Sequence, residues 1–219
     1  MYRNLRRSLI VSWVLILLAS PLRGDQAEDQ YTIAAQHYSS GRWQLAVEEF
    51  TAFLTEYSND ERAVAVTFHL GEALVQLGRY DDANGRFADY LKREPTGKHA
   101  GRAQFRIGET SYLSGDLETA RVELERFRAK QPEDALNAFV FNYLGEIALA
   151  QQEMESAREA FSGGLNEFPE SPLANECRFG LARSLHALGD LDAAARFYRF
   201  VSDRENASSL SDDALLQLG

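Results

Sequence analysis

One period governs the chain from residue 27 onward and limits what it can fold into. Ala46, Ala83, Ala120, Ala157 and Ala194 stand 37 residues apart, and four residues beyond each comes a large apolar side chain: Phe50, Phe87, Leu124, Phe161 and Tyr198. Twelve residues ahead of the alanines lie Ala34, Gly71, Gly108, Gly145 and Ala182, each preceded by Ile or Leu, and the same pair returns at Leu218-Gly219. A fixed period of this length marks a repeat architecture, in which each unit buries its apolar face only against its neighbours. The copies run 27–63, 64–100, 101–137, 138–174 and 175–211, and residues 212–219 begin a sixth.

Each copy reads as two amphipathic helices. In the third, apolar Phe105, Ile107 and Tyr112 are followed by a break at Ser114-Gly115, and Leu117, Ala120, Leu124 and Phe127 then resume a spacing of three and four until Pro132. Gly41, Gly78, Gly115 and Gly189 share the slot between the helices, where a residue free to take positive φ closes the first helix. The fourth copy has Gln152 in that slot, which makes it the weakest joint. Small residues at the eighth and twentieth positions let paired helices approach closely, and aromatic side chains fill the gaps between pairs.

The order Leu-Gly, then Ala-x-x-x-Phe, then Pro resembles the tetratricopeptide repeat, here 37 rather than 34 residues long, over residues 27–219. Its longer form, with the FPESPLAN link at 168–175, is similar to the repeats of envelope proteins such as the Tol–Pal system periplasmic protein and the β-barrel assembly lipoprotein. The resemblance implies an all-α, right-handed superhelix of five helix pairs plus the start of a sixth.

Ahead of the array, Arg3, Arg6 and Arg7 precede the apolar run Ser8–Ser20, and Pro21 ends it. Residues 1–24 therefore read as an export signal, or as an inner-membrane anchor if retained. The expectation is a protein of the periplasm or cell envelope, touching membrane only through that segment. The whole chain has a formal charge of −10, and removing residues 1–24 lowers the basic count from 23 to 19 against 33 acids. Nucleic acid is excluded as a partner, because phosphate contacts need a stripe of Lys and Arg that is not there.

The chemistry-bearing residues are few. His37 and His186 lie in the first and fifth copies and His69 and His99 in the second, and no two have metal-ligand spacing. The single cysteine, Cys177, reads as a small packing residue. Asp81, Asp82 and Asp190 follow turn glycines, where a carboxylate favours a helix start. No nucleophile elbow, dinucleotide or phosphate loop occurs, so no enzyme, metal or cofactor is expected.

The resemblance further implies that positions two, five, nine and twelve of each first helix face a concave groove. Those positions hold Tyr31, Phe68, Phe105 and Phe179 at five, Glu72, Glu109 and Glu146 at nine, and Tyr38 and Tyr112 at twelve. Such a groove would be aromatic with an acidic ladder, suited to a protein partner bearing a basic segment. The same residues also read as helix-forming solvated glutamates and core-filling aromatics. The function expected is a non-catalytic interaction scaffold of the bacterial envelope. The alternatives are an accessory repeat region of a longer enzyme and an oligomerisation module.

Overall fold

A computed structural model describes residues 23–203 and 210–218, and among them every regular element is an α-helix. The helices are α1 Arg23–Ser39, α2 Trp43–Glu56, α3 Ala63–Gln76, α4 Tyr80–Arg93, α5 Ala100–Ser114, α6 Leu117–Lys130, α7 Asn137–Ala150, α8 Met154–Glu167, α9 Ala174–Ala187, α10 Leu191–Ser202 and α11 Ser211–Leu218. Each packs on the next in chain order, giving five helix pairs and the first helix of a sixth. The expected signal segment lies outside the described residues except for its last two, which open α1. No helix among the described residues is long and apolar enough to cross a membrane.

The period has a steric origin that the structure shows directly. Ala46, Ala83, Ala120 and Ala157 have no solvent exposure, and Phe50, Phe87, Leu124 and Phe161 lie at or below 1%. A Cβ added to Gly145 would stand 2.5 Å from the Phe161 ring, and one added to Gly71 would stand 2.7 Å from Phe87. Position eight is small because the large residue at position twenty-four of the same copy already fills its space. The core is consequently a string of clusters strung along the array.

The turns follow the same register. Gly41, Gly78, Gly115 and Gly189 all have positive φ, and Gln152 takes φ 60° in the equivalent slot. Asp116 and Asp190 cap α6 and α10 by accepting from the backbone N–H of Thr119 and Ala193, each at 3.1 Å.

Candidate functional site: the concave face

The first helices α3, α5, α7 and α9 stand side by side, and their position-nine residues form a ladder joined across repeat boundaries. Glu72 Oε1 accepts from Arg106 Nε at 2.7 Å, and its Oε2 accepts from Arg106 and Arg102, each at 3.0 Å. Arg106 also pairs with Glu109. The other oxygen of Glu109 accepts from the Tyr143 hydroxyl at 3.1 Å. Burial, and then the Glu109 carboxylate, hold that phenol in its protonated form. Glu146 is met by Arg183 at 3.2 Å.

The expectation of a free acidic ladder is therefore corrected. Side-chain exposure is 7% for Glu72, 11% for Glu109 and 30% for Glu146. A buried carboxylate needs a cation and donors: the next repeat supplies both to Glu72, and Glu109 takes its cation from Arg106 of its own helix and a hydroxyl from Tyr143 of the next repeat. Glu146 alone of the three remains substantially open to solvent.

The aromatic positions divide in the same way. Phe68 and Phe105 are each 3% exposed and belong to the core, not to an open wall. Phe68 packs on Phe87 and Tyr90 and stacks on His99 at 4.4 Å, and Phe105 meets Phe127 and Phe139 edge-on. Tyr31, Tyr38, Tyr112 and Phe179 are half-buried. Tyr31 lies under the Arg62 guanidinium, Tyr38 contacts Trp43, Tyr112 contacts Tyr143 and Phe179 contacts Tyr198. Two adjoining depressions open over the later repeats. One, of about 400 Å³, is lined by Tyr112, Leu113, Leu117, Glu146, Leu149, Ala150 and Arg183. The other, of about 320 Å³, includes Phe179, Arg183, His186 and Tyr198.

Two groupings escape a reading by period. The Arg102, Arg106 and Tyr143 partners of the ladder stand 30 or 34 residues from the glutamates they serve. His69 and His99, in separate positions of the sequence, meet with ring centroids 5.7 Å apart. Burial first, then neighbouring cationic groups, lower both imidazole pKa values. Among the described residues no group of three His, Cys, Asp or Glu side chains converges on a point. Cys177 is 3% exposed with its thiol 3.9 Å from Asn142 Oδ1, and burial pushes its pKa up to about 12.

A stack of helix pairs joined by left-handed turns, with a continuous face built from first helices, defines the class of α-solenoids. The tetratricopeptide repeat family model matches residues 31–83, 68–135 and 144–201, well over half of the sequence, and the chain belongs to that family. Similar solved structures include MamA from Desulfovibrio magneticus, 23% identical with a TM-score of 0.68 over 80% of this chain and 92% of that one. A tetratricopeptide repeat protein from Parabacteroides merdae is 16% identical with a TM-score of 0.73, covering 90% of this chain and 75% of that one. At these identities the likeness is one of fold. No curated protein sequence matches the chain.

Proposed function

We propose that the protein is a non-catalytic protein–protein interaction scaffold of the bacterial cell envelope, holding a peptide or helical segment of a partner in its concave groove. The observation that carries this reading is the pair of depressions that adjoin at Arg183, one over α5, α7 and α9 and the other over α9, α10 and α11. There, half-exposed Tyr112, Leu149 and Phe179 lie beside the exposed Arg183 and His186. An apolar floor with a few fixed charges gives a partner both burial and orientation. The envelope assignment rests on the Arg-led apolar run before residue 24 and on the similarity of the 37-residue period to envelope repeats.

A photo-crosslinker placed at Leu149 or His186 is expected to give a discrete adduct, whereas one at Glu155 or Arg158 on α8 is not. Equal labelling from both faces would defeat the groove. Cell fractionation with and without residues 1–24 tests the location, and a truncated chain still found in the envelope would sink that part.

A second reading, self-association, is favoured by α11, where Leu215 and Leu216 are 54% and 77% exposed. Light scattering across a concentration series separates it from a monomeric scaffold.

A further inference from the structure

We infer that the outward face of α10 is a second docking surface, at which Arg196, Arg199 and Phe200, with Arg178 from α9, take an acidic segment of a protein partner. The inference goes beyond the groove reading and stands apart from it, because the groove is built on first helices and this face belongs to a second helix.

Register sets this face apart. α10 packs through Ala193, Ala194, Tyr198 and Val201, which leaves positions twenty-two, twenty-five and twenty-six of the copy exposed. In the fifth copy these are Arg196, Arg199 and Phe200, neighbours on one helix face at a spacing of three and four. In no earlier copy do the three positions carry an aromatic side chain or more than one arginine, and that single arginine, Arg126, is held by Glu123.

A third arginine completes the cluster. Arg178 of α9 holds its guanidinium 4.5 Å from the centre of the Phe200 ring and donates to Asn175 Oδ1 at 3.0 Å. The fourth copy has a similar stacking, Arg128 on Phe141 at 4.1 Å, but there Glu167 meets the guanidinium at 3.1 Å. No described carboxylate pairs with Arg178, Arg196 or Arg199, and Asp192 and Asp203, one turn beyond the cluster at either end of α10, reach none of them. Phe200 is 42% exposed. Three cations and an open aromatic edge are thus left together in a chain with 33 acids and 23 bases.

That combination selects the partner. Arginine and aromatic side chains dominate the energetic centres of protein interfaces, and a guanidinium fork meets a carboxylate with two parallel bonds. Arg196 and Arg199 stand one turn apart, a distance that neighbouring acids of a helix or alternate acids of an extended strand both span. Stacking by Arg178 fixes the ring before contact, so less side-chain freedom is lost on binding. An anionic bilayer fits less well. One face of Phe200 is covered by a guanidinium instead of being free to enter acyl chains, and a flat sheet of charge would meet Asp192 and Asp203 as well as the arginines.

The test is calorimetric titration of the full chain at about 150 mM salt, where exposed charges are screened beyond ~8 Å. The probe is a short Gly/Ser peptide with glutamates on both sides of one leucine, beside the same peptide with glutamine in place of glutamate. The acidic peptide is expected to bind wild type, and the glutamine peptide at least tenfold more weakly. Toward the acidic peptide R196E/R199E should lose at least tenfold and Phe200→Ala at least threefold. R42E/R158E makes the same change of charge at exposed sites in other copies and should stay within twofold of wild type. R196Q/R199Q repeats the measurement should the charge reversal fail to fold. Equal loss in R196E/R199E and R42E/R158E would mean diffuse charge attraction and overturn the inference, as would failure of the acidic peptide to bind wild type. Two further results give the face to another occupant and overturn it too. One is binding to phosphatidylcholine vesicles only when they contain phosphatidylserine, lost in R196E/R199E, with no binding of the peptide. The other is a doubled mass in light scattering that R196E/R199E abolishes and R42E/R158E does not. Crosslinks from Leu149 are expected to persist in R196E/R199E, so failure here leaves the groove reading intact.

Discussion

Arg106 on α5 lies across the repeat boundary from Glu72 on α3, Nε 2.7 Å from Oε1 and Nη2 3.0 Å from Oε2, with side chains 16% and 7% exposed. Charges this sheltered are costly to strand. Arg106→Met, which keeps the length of the side chain, leaves Glu72 short of its main cation and is expected to destabilise by ~3–5 kcal/mol. Adding Glu72→Gln should recover part of that loss. Urea unfolding of the single and double variants checks it, and a change under ~1 kcal/mol for Arg106→Met would show that the pair is solvated.

Close helix contact gives a second expectation. Gly145→Ala drives a methyl group into the Phe161 ring, and Ala120→Leu forces bulk into a site with no exposure. Each should cost ~1–3 kcal/mol, the usual penalty for overpacking. Unchanged melting temperatures would mean that the eighth and twentieth positions are not crossing points.

Gln152 is the turn residue that takes a left-handed conformation without being glycine. A side chain there costs roughly 1–2 kcal/mol locally, offset in part by the freedom that glycine has in the unfolded chain. Gln152→Gly is therefore expected to stabilise the protein by up to ~1 kcal/mol, read as a rise in thermal midpoint. A fall would show that the turn is held by the Gln side chain.

Acid should weaken the second and third repeats. His69 and His99 have lowered pKa values from burial first, with Lys98 and Arg102 opposing protonation and Glu72 favouring it. The folded state then binds fewer protons than the unfolded chain below the ordinary imidazole value of ~6.5. Stability is thus present above that pH and is lost as pH falls through it toward the folded values. Unfolding midpoints at a series of pH values should show this slope, and His69→Phe should flatten it. A slope unchanged by the substitution would place the titration elsewhere.

Cys177, with a thiol pushed up to about 12 and 3% exposure, should resist a thiol reagent in the folded protein and react at once in urea. Rapid reaction without denaturant would contradict its place between α7 and α9.

The helix pairs were legible because their determinants recur at one spacing. Gly71, Gly108 and Gly145 each face the residue sixteen positions later in the same copy, so the contact is repeated whenever the copy is. The ladder was half legible. Glu72, Glu109 and Glu146 keep the period, but the residues of the next copy that meet the first two do not: position six is Thr32, His69, Arg106, Tyr143 and Gly180 in turn. The contacts of Glu72 and Glu109 with the next first helix join different positions of adjacent copies, 30 or 34 residues apart, and leave no periodic trace, whereas Glu146 and Arg183 meet at the same position, 37 residues apart. For the same reason Phe68 and Phe105 read equally as core and as wall. The family resemblance supplied a direction for position five without saying how deep the next helix would seat it.

The cross-boundary pairing of Glu72 with Arg106 also means that the copies are keyed and not interchangeable cassettes. Excising residues 101–137 would preserve the helical phase, yet it would bring Glu72 against Phe139 and Tyr143 of the following copy. That neighbour offers a hydroxyl and no cation. Duplicating the same 37 residues would instead give Glu109 a fresh Arg102 and Arg106 to meet. At this boundary the array tolerates growth better than loss, an asymmetry written into its charges and invisible in its helices.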